Sequence, residues 1–98
     1  LETYMRTASR LDQNQILIVA TLRKIGATVQ SLATVGNGCP DLLVGFNGIN
    51  YLMEIKDGDK MPSAQKLTSD QVKWHIEWRG EVHIVRSIYD AFEVLGFA

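Results

Sequence analysis

Two hydrophobic runs joined by the dipeptide Asn47-Gly48 constrain the fold of this chain more than any other feature. The dipeptide suits a two-residue type I′ turn, which needs positive φ at both central positions, and it is the strongest short-range signal for a β-hairpin. Counting outward from such a turn, the residue opposite Asp41 is Glu54. The sequence therefore predicts a hairpin with one carboxylate at the far end of each strand.

The predicted register places the charged side chains of Asp41, Glu54 and Lys56 on one face of the hairpin. Directly opposed residues of an antiparallel pair project from the same face, and Lys56 lies two residues beyond Glu54 and shares its direction. Two carboxylates facing each other across a ladder are destabilising. A divalent cation between them would offset that cost.

These groups have the chemistry of a magnesium site. Two carboxylates, with the backbone carbonyl of Ile55 between them, are the hard oxygen ligands that Mg²⁺ prefers, and they leave positions for water and phosphate oxygens. A cation held there can activate a water and stabilise charge on a phosphodiester. Lys56 could orient or help to deprotonate that water, or neutralise the phosphate. The spacing also allows a simpler interpretation, a surface ion pair between Lys56 and one carboxylate.

The other signals predict a single α/β domain over residues 1–98, in which residues 1–10 form a flexible lead-in. Helices and strands are predicted in the order α-β-β-β-α-β-α, over residues 10–25, 28–32, 38–46, 49–56, 69–79, 82–85 and 88–95. This order predicts a mixed sheet of three or four strands flanked by helices. The first helix is apolar almost all round, so it is expected to be buried against the sheet and a second subunit.

The composition narrows the environment and the partners of the chain. A formal net charge of −1 is weak evidence against a protein that binds nucleic acid by electrostatics alone, but not against an enzyme that uses metal cations at the phosphate. The longest apolar run, residues 16–20, is too short to cross a bilayer. The single cysteine, Cys39, indicates a reducing cytoplasm, and the predicted register packs it near the site opposite Lys56.

Three segments together resemble one nuclease family. They are Gly-Cys-Pro-Asp-Leu-Leu-Val-Gly at 38–45, Tyr-Leu-Met-Glu-Ile-Lys-Asp-Gly at 51–58 and Leu-Thr-Ser-Asp-Gln-Val-Lys-Trp-His at 67–75. Their core resembles the PD-(D/E)XK nuclease signature. The extended pattern, over about residues 12–91, resembles the virus-type replication-repair nuclease (VRR-NUC) domain.

The resemblance implies a role for each matching residue. Asp41 and Glu54 would be metal ligands, Lys56 the catalytic lysine and Gln71 a further residue of the active site. It also implies a restriction-endonuclease-like core with Mg²⁺ as cofactor, for which Mn²⁺ substitutes. Small members of the family resemble Holliday-junction resolvases, so we expect a homodimer that acts on branched DNA, with no membrane partner, in the cytoplasm of a bacterium or a phage-infected host.

The family adds a metal ligand from the first helix, and two residues of this chain compete for that position. Asp12 is the only acid in the region, and Gln15 follows about one turn later on roughly the same face. An acid at Asp12 is also favoured by the helix dipole alone. If Gln15 fills the position, metal binding and activity would be weaker.

Three further features have both a functional and a structural interpretation. Gln71 is at the third position of a predicted capping box, which is a structural position for glutamine. Lys60 and Lys66 follow the hairpin and could contact DNA phosphates or simply be solvated. Trp74 and Trp78 could stack on bases, although aromatic residues at helical spacing more often form a core or a dimer interface.

The sequence thus predicts a Mg²⁺- or Mn²⁺-dependent DNA endonuclease that is selective for branched substrates. Two alternatives stay open. One is a catalytically weak or inactive module that binds branched DNA, and the other is a nuclease subunit that needs a partner protein.

Overall fold

The structure of the protein is a computed structural model that describes residues 13–97. The predicted lead-in at residues 1–10 and the candidate ligand Asp12 lie outside these residues. The elements in chain order are α1 (Gln13–Lys24), β1 (Thr28–Ser31), β2 (Leu42–Phe46), β3 (Ile49–Ile55), a 3₁₀ turn (Pro62–Gln65), α2 (Ser69–Glu77), β4 (His83–Val85) and α3 (Ile88–Leu95). The predicted α/β architecture and element order are confirmed.

The four strands form one mixed sheet in the order β1-β2-β3-β4. Strand β2 pairs antiparallel with both β1 and β3, whereas β4 lies parallel to β3. At the hairpin turn, φ is 51° at Asn47 and 77° at Gly48, as a type I′ turn requires. The predicted register is confirmed for the five ladder pairs from Phe46 with Ile49 out to Leu42 with Met53.

The two faces of the sheet have different roles. On one face, side chains of the hairpin pack against α1 and α3 to form the core, together with Val85 of β4. The buried core residues are Ile18, Leu22, Ala27, Leu42, Val44, Met53, Ile55, Val85, Ala91 and Leu95. Because strand side chains alternate between faces, Leu43, Leu52 and Glu54 point to the opposite face, where α2 lies. Of the two predicted acids, Glu54 is therefore held between the sheet and α2.

Within the single chain that the structure describes, α1 buries one stripe of side chains, and its burial against a second subunit stays a prediction. Ile18 and Leu22 are fully buried, but Ile16 is 48% exposed and Leu17 is 53% exposed. The reason is the small size of the sheet, since a helix can turn only one stripe toward four short strands while α3 packs at its side.

Several element boundaries differ from prediction. Helix α2 ends at Glu77 rather than Arg79 because Trp78 adopts an extended conformation, and β4 begins at His83 rather than Val82. In addition, β2 begins at Leu42 rather than at residue 38, and α1, β1 and β3 each end one residue before the predicted boundary. Among the described helices, none is both long enough and apolar enough to cross a membrane.

Candidate active site

Glu54 is the buried centre of the candidate site. It lies one residue before the end of β3 and is only 1% exposed, under the first turns of α2. Gln71 Nε2 donates a hydrogen bond to Glu54 Oε2 at 3.2 Å. The other oxygen, Oε1, lies 3.8 Å from His75 Nε2, and neither atom has a hydrogen-bond partner among the described residues. A buried carboxylate oxygen without a partner is costly, so the site is electrostatically incomplete as it stands.

Asp41 lies immediately before β2. Its side chain, rather than its backbone, makes the next hydrogen bond to β3. The predicted backbone pairing of Asp41 with Glu54 is not part of the ladder. Instead, Asp41 Oδ2 accepts a hydrogen bond from the backbone N–H of Ile55 at 2.7 Å. The N–H and C=O of one strand residue point to the same neighbour, so the Ile55 carbonyl also faces this side of β3. The three oxygen donors predicted as ligands therefore converge on one end of the hairpin.

The two carboxyl groups are close enough to shift the ionisation of Glu54. Burial raises the pKa of Glu54 from 4.5 to about 8, aided by a hydrogen bond with Asp41 and by the Asp41 charge, while the Lys56 charge acts in the opposite direction. The geometry expected from the register is therefore present, although a side-chain contact replaces the backbone pair. In the absence of a cation, the raised pKa favours the protonated form of Glu54 at neutral pH.

Lys56 and Gln71 form a hydrogen-bonded bridge over the carboxylates. Lys56 Nζ donates to Gln71 Oε1 at 3.0 Å, and the amide nitrogen of the same Gln71 contacts Glu54. Gln71 Oε1 also accepts from the backbone N–H of Thr68 at 2.9 Å, which completes the predicted capping box. The structural interpretation of Gln71 is thus confirmed, and the same side chain also contacts Lys56 and Glu54, while its role in an active site stays a prediction. No ion pair between Lys56 and a carboxylate occurs among residues 13–97, so the simple surface ion pair is not formed.

Two residues of the site were not predicted from the sequence. His75 lies one turn after Gln71 on α2 and is 13% exposed, and burial together with the nearby Lys56 charge lowers its pKa, which favours the neutral imidazole. Its spacing of four residues from Gln71 is a signal that could have placed it on the same face. Asn14 of α1 donates through Nδ2 to the backbone carbonyls of Lys56 at 2.8 Å and Arg86 at 3.0 Å. Nothing in the local sequence marks this long-range contact.

The remaining candidates are distributed around this cluster. Gln15 is half-buried and makes no hydrogen bond to Asp41, Glu54 or Lys56 within the described chain, and its role as a metal ligand stays a prediction. Lys60 and Lys66 are exposed in the segment after β3. Their roles as DNA contacts stay predictions.

Cys39 and the two tryptophans follow the structural interpretation. Cys39 is half-buried, and burial plus the charges of Glu54 and Asp41 raise the pKa of its thiol, which disfavours the nucleophilic thiolate. Trp74 and Trp78 stack on each other with centroids 4.6 Å apart and line a hollow of about 430 Å³ with Leu43 and Leu52. Trp74 is half-buried there, whereas Trp78 is 46% exposed.

The site is able to hold a small, hard cation with few protein ligands. The described residues contain no group of three or more His, Cys, Asp or Glu side chains that could hold a metal. Mg²⁺ is commonly bound through one or two carboxylates with several retained waters, and Asp41, Glu54 and the Ile55 carbonyl are oxygen donors of this kind. A cation at this position would satisfy the unpartnered Glu54 oxygen and would stabilise the ionised form of this buried carboxyl, whose pKa is raised in its absence.

Comparison of the chain with protein-family models, with curated proteins and with solved structures finds no significant match in any of the three searches.

Gly38 brings the loop before β2 directly against the first turn of α2. Its φ is +83°, and a Cβ atom at this position would overlap the backbone carbonyl of Asp70. Gly36 has a similar φ of +76° but no atom within 4 Å of a Cβ position, which makes it a matched control. The close approach at Gly38 holds the start of α2, and with it Gln71, over Glu54.

We expect Gly38→Ala to reduce the free energy of unfolding by about 3 kcal/mol or more, and Gly36→Ala by about 1 kcal/mol. Both variants suffer the unfavourable positive φ, but only the first also overlaps backbone atoms. Urea denaturation followed by circular dichroism measures the difference. Equal destabilisation by the two substitutions would show that the contact with α2 is unimportant.

Proposed function

We propose that this chain is a Mg²⁺- or Mn²⁺-dependent DNA endonuclease of the VRR-NUC type, with a restriction-endonuclease-like core. The observation that carries the proposal is the pairing of a buried carboxyl, Glu54, with a second carboxyl, Asp41, beside a lysine that forms no ion pair with a carboxylate among residues 13–97. Such a cluster is costly for folding, and its groups are those needed to hold a cation and a phosphate.

Each residue has a role that follows from its contacts. Asp41 and Glu54, with the Ile55 carbonyl, would hold the cation, which when bound supplies Lewis-acid polarisation of the phosphate and of a water. Lys56 extends from the end of β3 beside the carboxylates, where its ammonium group would neutralise charge on the scissile phosphate or orient the attacking water. Gln71 positions Lys56 through Oε1 and Glu54 through Nε2.

Branched DNA as substrate and a homodimer as the active form are supported by the resemblance of residues 12–91 to the VRR-NUC domain. The exposed apolar residues Ile16 and Leu17 are the type of surface that a second copy could cover. Two-fold symmetry would then set two sites across a junction.

A second function, binding of branched DNA with little or no cleavage, is favoured by one observation. Among the described residues the cluster contains only two carboxylates, Asp41 and Glu54, and Gln15 is an amide that makes no hydrogen bond to either. A cation held by so few ligands binds weakly, and a site that loses it retains only its DNA contacts.

The two functions are separated by incubating the purified full chain with a labelled four-way junction and a linear duplex of the same sequence. A nuclease cuts the junction in Mg²⁺ or Mn²⁺ and not in EDTA. Retarded migration of the junction in a native gel without any scission in either metal would instead support the binding module.

A further inference from the structure

A hollow of about 600 Å³ opens beside the candidate active site, on the side of β4. Its floor is apolar and is formed by Leu67, Val72 and Ile84, and the side chains of Lys66 and Arg86 border it. This volume falls in the range of small-molecule sites. The hollow therefore combines an apolar surface with two positively charged side chains.

The positive charge of Lys66 and Arg86 at this hollow is not balanced by a neighbouring carboxylate among the described residues. No acidic side chain lines it, and neither Lys66 nor Arg86 forms an ion pair with a carboxylate in the part of the chain that the structure describes. The nearby acid Asp90 uses its carboxylate to accept from the backbone N–H of Arg86 at 2.8 Å. By contrast, the hollow at Trp74 and Trp78 on the other side of α2 is bordered by Glu81 and by no lysine or arginine. Only the first hollow has the charge to attract an anion.

The position of this hollow relative to Glu54 is fixed by the sheet. Ile84 is the residue of β4 paired with Glu54 of β3, and neighbouring strands lie about 4.8 Å apart. Val72 directly follows Gln71 on α2. The backbone N–H of Gly58 donates to the Arg86 carbonyl at 3.2 Å, which ties the segment after Lys56 to the same edge. The floor of the hollow is thus continuous with the carboxylate cluster.

We propose that this hollow binds the nucleotide next to the cleaved phosphodiester, with its base or sugar on Val72 and Ile84 and its phosphate on Arg86 and Lys66. This inference rests on the proposed nuclease function and adds Arg86 as a DNA contact. The planar guanidinium of Arg86 can bind a phosphate through two hydrogen bonds, whereas the ammonium of Lys66 acts as a single charge. A DNA strand would therefore run from the carboxylates toward β4 rather than toward the tryptophan pair.

The test uses thymidine 3′,5′-bisphosphate, which carries one base and two phosphates, in a metal-free NMR titration of the full chain. We expect saturable shifts at the amides of Val72, Ile84 and Arg86. Arg86→Ala should weaken binding about tenfold, since a hydrogen bond to a charged group is lost, and Arg86→Lys should give an intermediate loss. The matched control Arg79→Ala, an exposed arginine outside this hollow, should bind as the wild type does.

The same variants are then compared for binding of a four-way junction in EDTA over a range of salt concentrations. Arg86→Ala should lower the slope of log K against log salt by about 1, and Arg79→Ala should leave it unchanged. Shifts that cluster at Trp74 and Leu52, or equal binding by the Arg86 and Arg79 variants, would overturn the proposal. If Arg86 governs binding but the wild type cuts no DNA in Mg²⁺ or Mn²⁺, the nuclease function fails and the nucleotide site stands.

Discussion

Replacing Lys56 with alanine is expected to slow Mg²⁺-dependent cleavage of a four-way junction by about 10²- to 10³-fold, the usual cost of losing one charged or proton-transferring group at a reacting centre. The ammonium group of Lys56 contacts only Gln71 Oε1 among the described residues, so its charge is available to the phosphate. Single-turnover rates at saturating Mg²⁺ measure the effect, because they separate the chemical step from binding and product release.

Three variants make this measurement specific. Lys56→Arg keeps the charge but not its compact geometry, and we expect a smaller loss of rate. Lys24→Ala removes an exposed lysine of α1 and should leave the rate unchanged. Asp41→Asn should be as slow as Lys56→Ala, because it removes a proposed cation ligand. Cleavage by Lys56→Ala and Asp41→Asn within about threefold of the wild-type rate would contradict the nuclease assignment.

The hairpin and its register could be predicted because their causes are local. Asn47 and Gly48 accept positive φ, and strand alternation then fixes which side chains share a face. The turn and the strand alternation are sufficient to predict that Asp41 and Glu54 lie close together. They do not predict how the ladder ends, because the hydrogen bond from Ile55 N–H to the Asp41 side chain depends on the path of the chain before β2.

The parts of the site that were missed depend on contacts between elements distant in sequence. Asn14 reaches the ends of β3 and β4, more than 40 residues away, and no neighbouring residue signals this. His75 could have been placed beside Gln71 by helical spacing, but its approach to Glu54 depends on how α2 sits on the sheet. The partial exposure of α1 has a similar origin, because the width of the sheet determines how much of a helix it covers.

The ionisation of Glu54 gives the second large effect, on stability rather than on rate. Its pKa is about 8 in the folded chain against an ordinary value of 4.5, so between these pH values the unfolded chain releases a proton that the folded chain retains. In EDTA the free energy of unfolding should therefore fall as pH rises through this window, by at most about 1.4 kcal/mol per pH unit, and level off above pH 8.

The ionisation of His75 changes the free energy of unfolding in the opposite direction at lower pH. Its pKa is lowered from 6.5, so the unfolded chain binds a proton there that the folded chain does not, and stability rises with pH until about 6.5. The clearest window for Glu54 is therefore between pH 6.5 and 8. Glu54→Gln removes the titrating group, and its stability in EDTA should be nearly independent of pH there. The matched control Glu93→Gln, an exposed acid of α3, should follow the wild type.

Adding Mg²⁺ should nearly abolish the difference in stability between the two proteins at pH 8. In EDTA, Glu54→Gln is expected to be more stable than the wild type by on the order of 3 kcal/mol, because no charge is buried at position 54. With Mg²⁺ at about 100 times its dissociation constant, the wild type should gain about 2.7 kcal/mol by mass action, and Glu54→Gln should gain little. Thermal and urea denaturation at pH 6.5, 7.3 and 8.0, with and without Mg²⁺, measure both changes. Equal stabilisation of the wild type and Glu54→Gln by Mg²⁺ would show that the cation binds elsewhere. If Mg²⁺ does not change the stability of the wild type at pH 8, the buried carboxyl pair has only a structural role.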